Sequence, residues 1–255
     1  MASVVIDYLP ACAEHYRNDY AIVVVDVIRA TTTAITALNL GRDVYPVQTT
    51  DEAFVLAKQL NNPLLMGEQG GNIPYDFDLT NSPVQVTALS VIPSGNFTDK
   101  SRPIILLSSS GTRLLINSVG DESNAVYVAC ARNFSAVANH LIKSHDKVAI
   151  LGAGTRGEFR REDQMVCAWI AEKLVAEDYE IESNRTRDLI LRWTGATLES
   201  AREGNSANYL ERSGQTHDLE FILNYYDDLN IVPKLINGQL VLVSGKPSLQ
   251  PGINL

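Results

Sequence analysis

An α/β fold with a mixed, mostly parallel sheet and flanking helices is predicted by two features of the 255-residue chain. Short apolar runs alternate with amphipathic stretches of helical period, the order that builds parallel sheets from βαβ units. Polar groups close these runs at their carboxyl ends, where open α/β sheets bind their ligands.

The apolar runs predict strands at 22–26, 44–48, 64–67, 103–108, 125–130 and 147–151. The stretches between and after them predict helices at 31–40, 51–61, 112–118, 134–144 and 162–177. The last of these carries Val166, Ile170 and Leu174 on one face. Residues 68–102 are rich in Gly, Pro, Asn, Asp and Ser and read as a long loop insert, a kind of segment that is usually functional or disordered. After about residue 180 the pattern turns helical and polar, ending with FILNYYDDLN, VPKL and a short strand, QLVLVS. The terminal KPSLQPGINL is expected to be irregular.

The chain is read as one α/β domain with an internal similarity. Ile22–Gly67 and Pro103–Gly152 share the order strand, loop, helix, strand, helix, strand, Gly. Asp26 aligns with Ser108 and VYPV with VYVA at an offset of 82, and LLMG with AILG at 85. Two similar βαβαβ halves, about 20–68 and 103–178, are therefore expected around the insert 69–102, followed by a helical segment over 180–255. Identities are few, so independent βαβαβ units of similar layout remain the alternative.

Thirty acidic and 21 basic residues give a net charge of −9. That balance argues against nucleic acid or an anionic membrane as partner, both of which need a basic field. It leaves room for an anionic substrate, because a bound divalent cation reverses the local sign. Cys12, Cys130 and Cys167 are too few and too scattered for a disulfide framework or a zinc site, which fits a reducing, cytoplasmic setting. No secretory signal and no apolar run of membrane-spanning length is read, and a homo-oligomer is compatible with the sequence.

The most informative stretch is AIVVVDVIRATTT, residues 21–33. A strand ends on Asp26, Arg29 follows, and a helix start lies behind them. The carboxylate suits a metal, the guanidinium a phosphate and the helix N-terminus an anion. An acid capping the helix, with Arg29 as its surface partner, fits the same spacing. Ser108, Ser109 and Ser110 run into Gly111, Thr112 and Arg113, a loop with the logic of a phosphate cradle but without the P-loop spacing. It fits a serine-rich turn equally well. Gly152, Gly154 and Gly157 match G-x-G-x-x-G, yet no acid closes a following strand at the distance a dinucleotide site needs. Glu162 and Asp163 open a helix, where acids favour the dipole. Cys130 reads as a buried thiol; Arg132 nearby is the cation a nucleophilic thiolate would need. Asp76, Asp78, Asn81 and Ser82 have turn-forming character.

Five ordered blocks resemble the 2-phosphosulfolactate phosphatases: VVVDVIRATTTAITAL, MGEQGGNIPYDFDLTNSP, SSSGTRLL, CARNFSAVA and AGTRGEFRREDQMVCAWIAEKL. The resemblance implies an α/β fold particular to that family. It also implies an Mg²⁺-dependent phosphatase acting on a small phosphorylated acid, 2-phospho-3-sulfolactate, giving 3-sulfolactate and phosphate. Asp26, Arg29, Glu68, Gly111, Thr112, Arg113, Cys130, Arg132, Asn133, Glu162, Asp163 and Cys167 stand at matching positions. On this basis Asp26, Glu68 and Asp163 are the expected metal ligands, and Glu162 the general base or acid. Arg29, Arg113 and the Ser108–Thr112 loop, with Asn81, Ser82, Arg132 and Asn133, are the expected substrate contacts. Cys130 is expected to line the site, with a covalent role left open.

The chain departs from the family pattern at Gln69, Asp76, Thr80 and Ala131 and in the serine run. Losing a cation at 69 and gaining an acid at 76 motivates an alternative, a non-catalytic protein that keeps the fold and binds an anionic metabolite. A nucleotide-dependent oxidoreductase, resting on GAGTRG alone, is the third reading.

Overall fold

The run AIVVV forms β2 (Ala21–Val25), buried at all five positions. Such burial on both faces is what a central parallel strand requires. The computed structural model describes residues 1–91, 102–121 and 124–248. Residues 92–101 of the insert and 249–255 of the terminal stretch, expected to be irregular, lie outside the described residues.

The chain begins with β1 (Ser3–Tyr8), then β2, α1 (Ala30–Asn39), β3 (Val44–Val47), α2 (Thr50–Ala57) and β4 (Leu64–Gly67). Next come α3 (Pro83–Val91), β5 (Ile104–Leu107), α4 (Gly111–Asn117), β6 (Val126–Ala129), α5 (Phe134–Ile142) and β7 (Lys147–Gly152). The remainder is α6 (Arg161–Val175), β8 (Glu180–Ile181), α7 (Asn184–Trp193), α8 (Asn205–Arg212), α9 (Thr216–Asn224), β9 (Val232–Ile236) and β10 (Gln239–Ser244). Every predicted strand and helix is present, shifted at its ends by a few residues. Beyond the prediction are β1, β8, β9 and α3. Helix α3 begins at Pro83, which served as a turn signal in the sequence but here takes the first helical turn, where its missing N–H costs nothing.

The strands form one ten-stranded sheet in the order β4-β5-β3-β10-β9-β6-β2-β7-β1-β8. Strands β4, β5 and β3 make one parallel block, and β6, β2, β7, β1 and β8 another. The antiparallel hairpin β9–β10 joins them, touching β6 at Tyr127↔Lys234 and β3 at Leu240↔Val44. The two stretches aligned in the sequence interleave in the sheet. Ile22 of β2 stands opposite Val126 and Ala149, and Ile104 of β5 stands opposite Val44 and Leu64. These are the same partners under the sequence offsets. Each block thus takes its middle strand from one stretch and that strand's two neighbours from the other.

Both blocks lay one face on a shared core. Ile22 and Val24 of β2, Val126 and Val128 of β6, and Ile104 and Leu106 of β5 pack there with Ile35 of α1 and Leu114 of α4. The other face of the larger block is covered by α5, α6 and α7 through residues such as Val137, Leu141, Ile170 and Leu189. Because α1 and α4 share one core, the carboxyl ends of β2 and β5 are drawn together above it.

The turn after β6 fastens the C-terminal segment. Asn133 Oδ1 accepts the Cys130 N–H at 2.9 Å, and Nδ2 donates to the carbonyls of Val128 at 3.3 Å and Ile231 at 3.1 Å. Ala131 O and Arg132 O accept the N–H groups of Asp227 and Leu229. Asn133 is wholly buried, so removing its amide leaves several groups without partners. Asn133→Ala should therefore lower unfolding stability by about 1–3 kcal/mol in a urea titration. Unchanged stability with an altered KM would instead make Asn133 a substrate contact.

Candidate active site

A cleft of about 610 Å³ opens where the ends of β2, β4, β5 and β7 meet the C-terminal helices. Asp26, Ile28 and Arg29 line it from the first of these ends, and Glu68, Gly70, Gly71 and Asn81 from the segment after β4. Ser109 and Ser110 come from the end of β5, and Thr155, Arg156, Glu158 and Arg160 from the segment after β7. Asn205, Ser206, Tyr209 and Leu210 of α8 complete the wall.

Asp26 lies at its base. Its backbone N–H donates to Thr31 Oγ1 at 3.0 Å, and its carboxylate takes the Ala30 N–H. It accepts N–H groups at the start of α1, as the capping reading held, but Arg29 is buried and paired with Asp218 instead of being its surface partner, and Asp26 also faces the cleft. The equivalent loop is built alike. Ser108 N–H donates to Thr112 Oγ1 at 2.9 Å, and Ser108 Oγ accepts the Gly111 N–H at 2.9 Å. Ser108 and Thr112 thus bind each other and lie outside the cleft lining. The two loops touch: a Cβ on Gly111 would fall 2.3 Å from Asp26 Oδ2 and 2.7 Å from Ala30 Cβ. Glycine at 111 is what permits the approach.

The acids are crowded. Burial, then the carboxylates of Glu68 and Glu162, push the Asp26 carboxyl up to about 7. Glu68 is held by the N–H groups of Ser109 at 2.6 Å and Gly71 at 2.7 Å and by Ser109 Oγ at 3.1 Å. Tyr209 Oη donates to Gly71 O at 2.8 Å, and a Cβ on Gly71 would collide with that hydroxyl at 2.3 Å. Glu162 is buried behind the lining and neither of its carboxylate oxygens completes a hydrogen bond. Burial raises its pKa, while the nearby Ser206 hydroxyl draws it down. Asp163 Oδ1 accepts the Val27 N–H at 2.8 Å, and the carboxylate also takes the Gly154 N–H. Burial and the neighbouring Glu162 and Asp26 hold Asp163 well above the usual carboxylate range.

On the cationic side, Arg29 Nη1 donates to Asp218 Oδ2 at 2.7 Å and to Gln215 Oε1. Ser82 Oγ donates to the other Asp218 oxygen at 2.5 Å and accepts the Gln85 N–H at 3.1 Å, so Ser82 ties α3 to α9 rather than facing the cleft. Asn81 does face it, with Oδ1 buried and unpartnered.

Other expected contacts lie elsewhere. Arg113 is exposed on α4 and outside the cleft lining. Arg132 clasps Asp228 through Nε at 3.0 Å and Nη2 at 2.5 Å, donates to Thr36 Oγ1 at 3.0 Å, and lies 4.7 Å from the Tyr225 ring centroid. It fastens the C-terminal segment to α1. Cys130 is wholly buried and outside the lining. Burial pushes its thiol up to about 11, against the pull of the Arg132 amide and guanidinium. A nucleophilic thiolate needs the opposite shift, and the paired Arg132 does not supply it. Gln69 and Asp76 are exposed, and with Thr80 they lie outside the cleft lining. Of the departures from the family pattern, only the serine run reaches the wall of the cleft, through Ser109 and Ser110.

Sequence reasoning did not reach Asp218, Gln215, Asn205, Ser206 or Tyr209, which the C-terminal helices bring in. The one local sign is the Gly204-Asn205-Ser206 run, a helix-start pattern. The glycines of GAGTRG do not open a helix; α6 begins at Arg161, after a tight turn.

Among the described residues no three His, Cys, Asp or Glu side chains gather at metal-ligand spacing. Asp26 and Glu68 nonetheless suit a hard divalent cation that takes one or two carboxylates, substrate oxygens and water. Asp163, committed to two backbone N–H groups, does not line the cleft.

Because the folded pKa of Asp26 is raised above its unfolded value of about 3.9, its ionisation opposes folding fully above about pH 7. That penalty fades as pH falls toward the unfolded value. In EDTA, Asp26→Asn should therefore raise Tm over the native protein at pH 8 by about 3 °C or more. The gain should shrink by pH 5. A pH-independent difference in calorimetric scans would show that Asp26 is not a strained carboxylate.

The sequence profile described as 2-phosphosulpholactate phosphatase matches residues 8–238. Among similar proteins is a "Probable 2-phosphosulfolactate phosphatase" of Symbiobacterium thermophilum, 34% identical over 87% of this chain and 93% of its own length. One of the same name from Caldanaerobacter subterraneus is 34% identical over 85% of this chain and 88% of its own. Another, from Carboxydothermus hydrogenoformans, is 33% identical over 90% and 92%. Four of the five sequence blocks supply the strand ends that line the cleft, and with a profile match over most of its length the chain belongs to the 2-phosphosulfolactate phosphatase family.

Proposed function

We propose that this phosphoric monoester hydrolase removes phosphate from a small, acidic phosphate monoester, 2-phospho-3-sulfolactate, with Mg²⁺ held by Asp26 and Glu68. The carrying observation is the division of the cleft: Asp26 and Glu68 crowd its base while Arg29, Arg156 and Arg160 line it too. A substrate that is anionic throughout needs both sides, the arginines directly and the acids through a cation.

Mg²⁺, when bound, would neutralise phosphate oxygens and favour attack by water. The remaining work falls to the chain. The part of the Arg29 guanidinium not held by Asp218 and Gln215 grips phosphate, with the Ser110 hydroxyl beside it. The Asp218 pairing fixes that guanidinium so that it need not be ordered on binding. Water attacks phosphorus as the ester P–O bond breaks, one proton leaving the water and one reaching the departing alkoxide. Glu162, raised in pKa by burial and close to Ser206, takes the proton from water through the Ser206 hydroxyl, which lines the cleft. The binding-only alternative drew on Gln69, Asp76 and Thr80, and none of these lines the cleft.

Phosphate release from 2-phospho-3-sulfolactate and a panel of small phosphomonoesters should require Mg²⁺ and stop in EDTA. Asp26→Asn should lower kcat at least ~100-fold while leaving a folded protein, on the scale of a lost metal or electrostatic group. Absence of metal-dependent release from every ester, with tight binding of the acid, would favour the binder. Full activity in Asp26→Asn would remove Asp26 from the mechanism.

A further inference from the structure

Three arginines line the cleft, and two of them already face a carboxylate. Arg29 pairs with Asp218 at 2.7 Å and Arg160 with Glu158 at 2.5 Å. Both Glu158 oxygens are also bound by Asn205 Nδ2, at 2.8 and 3.0 Å, so Glu158 is fully engaged. Arg156 is the exception: it lines the cleft with neither a hydrogen bond nor an ion pair among the described residues.

Its backbone is unusual for an arginine. Thr155 and Glu158 exchange backbone hydrogen bonds of 2.9 and 3.0 Å, closing a two-residue turn. Arg156 at its tip has φ 53° and Gly157 φ 80°. Positive φ at both central residues is the pattern of a type I′ turn, whose first position favours Asn, Asp or Gly. Arginine there runs against local preference, and such conflicts collect at functional positions. Thr155 Oγ1 lies 3.5 Å from Ser110 Oγ, which sets the turn beside the serine loop. Arg29 is buried at the base, whereas Arg156 is exposed at the rim.

We propose that Arg156 is a specificity-determining residue, binding an anionic group of the substrate other than the phosphate. That group is a carboxylate or sulfonate, either of which a free guanidinium at the rim fits. The proposal rests on the phosphatase reading: phosphate occupies the inner end at Asp26, Glu68 and Arg29, so the acid tail points outward to Arg156.

The test uses Arg156→Asn, which removes the charge and keeps a residue suited to the turn. Hydrolysis is measured with 2-phospho-3-sulfolactate, 2-phospholactate and p-nitrophenyl phosphate, which carry carboxylate and sulfonate, carboxylate alone, and neither. The loss in kcat/KM for 2-phospho-3-sulfolactate should exceed that for p-nitrophenyl phosphate by about tenfold, carried by KM, with some of it regained in Arg156→Lys. A matching loss with 2-phospholactate assigns the carboxylate, and a loss confined to the sulfonate-bearing ester assigns the sulfonate. Equal losses on all three, or none, overturn the proposal. Calorimetric binding of 3-sulfolactate decides the matter independently of turnover: Kd should rise about tenfold in Arg156→Asn. An unchanged Kd, or no binding to the native protein, overturns it. Failure of the native protein to hydrolyse any ester counts against the phosphatase reading instead, and the Kd comparison still judges Arg156.

Discussion

The contact on which the site depends is the approach of Gly111 to the carboxylate of Asp26. It brings two strand ends from different blocks of the sheet within van der Waals reach, with no room for a side chain between them. The shared core under α1 and α4 makes that approach possible, and the close-packed interior keeps it fixed. Its consequence is electrostatic. A buried acid is held near Glu68 and Glu162, and burial and those carboxylates outweigh the pull of Arg29, a state that folding alone would not favour. The cleft is therefore a place where stability has been exchanged for a demand for positive charge.

Around this point the polar residues divide into two groups that look alike in sequence. Ser108, Thr112, Asn133, Arg132 and Asp163 use their side chains to hold backbone and neighbouring segments. Asp26, Arg29, Glu68, Asn81, Ser109 and Ser110 reach the cleft. The first group makes the second possible: Asp163 grips the start of the loop that follows Asp26, and Arg132 anchors the segment after α9. Matching positions in a family pattern thus include supports as well as contacts.

Local patterns were enough to read the strands that end on functional groups, because AIVVV, IILL and VYVA are unbroken apolar runs followed by polar residues. Asp26, Arg29 and the serine loop were legible for the same reason. What escaped was set by tertiary pairing. The strand SVVIDY gains its place only beside β7 and β8, and β9 only by pairing with the predicted strand QLVLVS to close the gap between two blocks. The Tyr209 tie to Gly71 and the Asp218 clasp on Arg29 span 138 and 189 residues, where no spacing rule reaches. Cys130 and Arg113 show the reverse error: chemistry-bearing types at promising places, directed by packing to the interior and to solvent.

The interleaving of strands also bears on motion. Enzymes built from two lobes admit substrate by swinging one lobe against the other about a hinge. Here residues 22–67 and 103–152 each lend the middle strand to a block whose flanking strands belong to the other. The two stretches cannot part from one another without breaking parallel ladders. The cleft has in addition an outer wall that stands apart from the sheet. That wall is α8, tethered through Tyr209 to the glycine turn after β4 and through Asn205 to Glu158. The half of the site that holds the acids is thus built into the sheet, and the half contributed by α8 is held to it by side-chain hydrogen bonds.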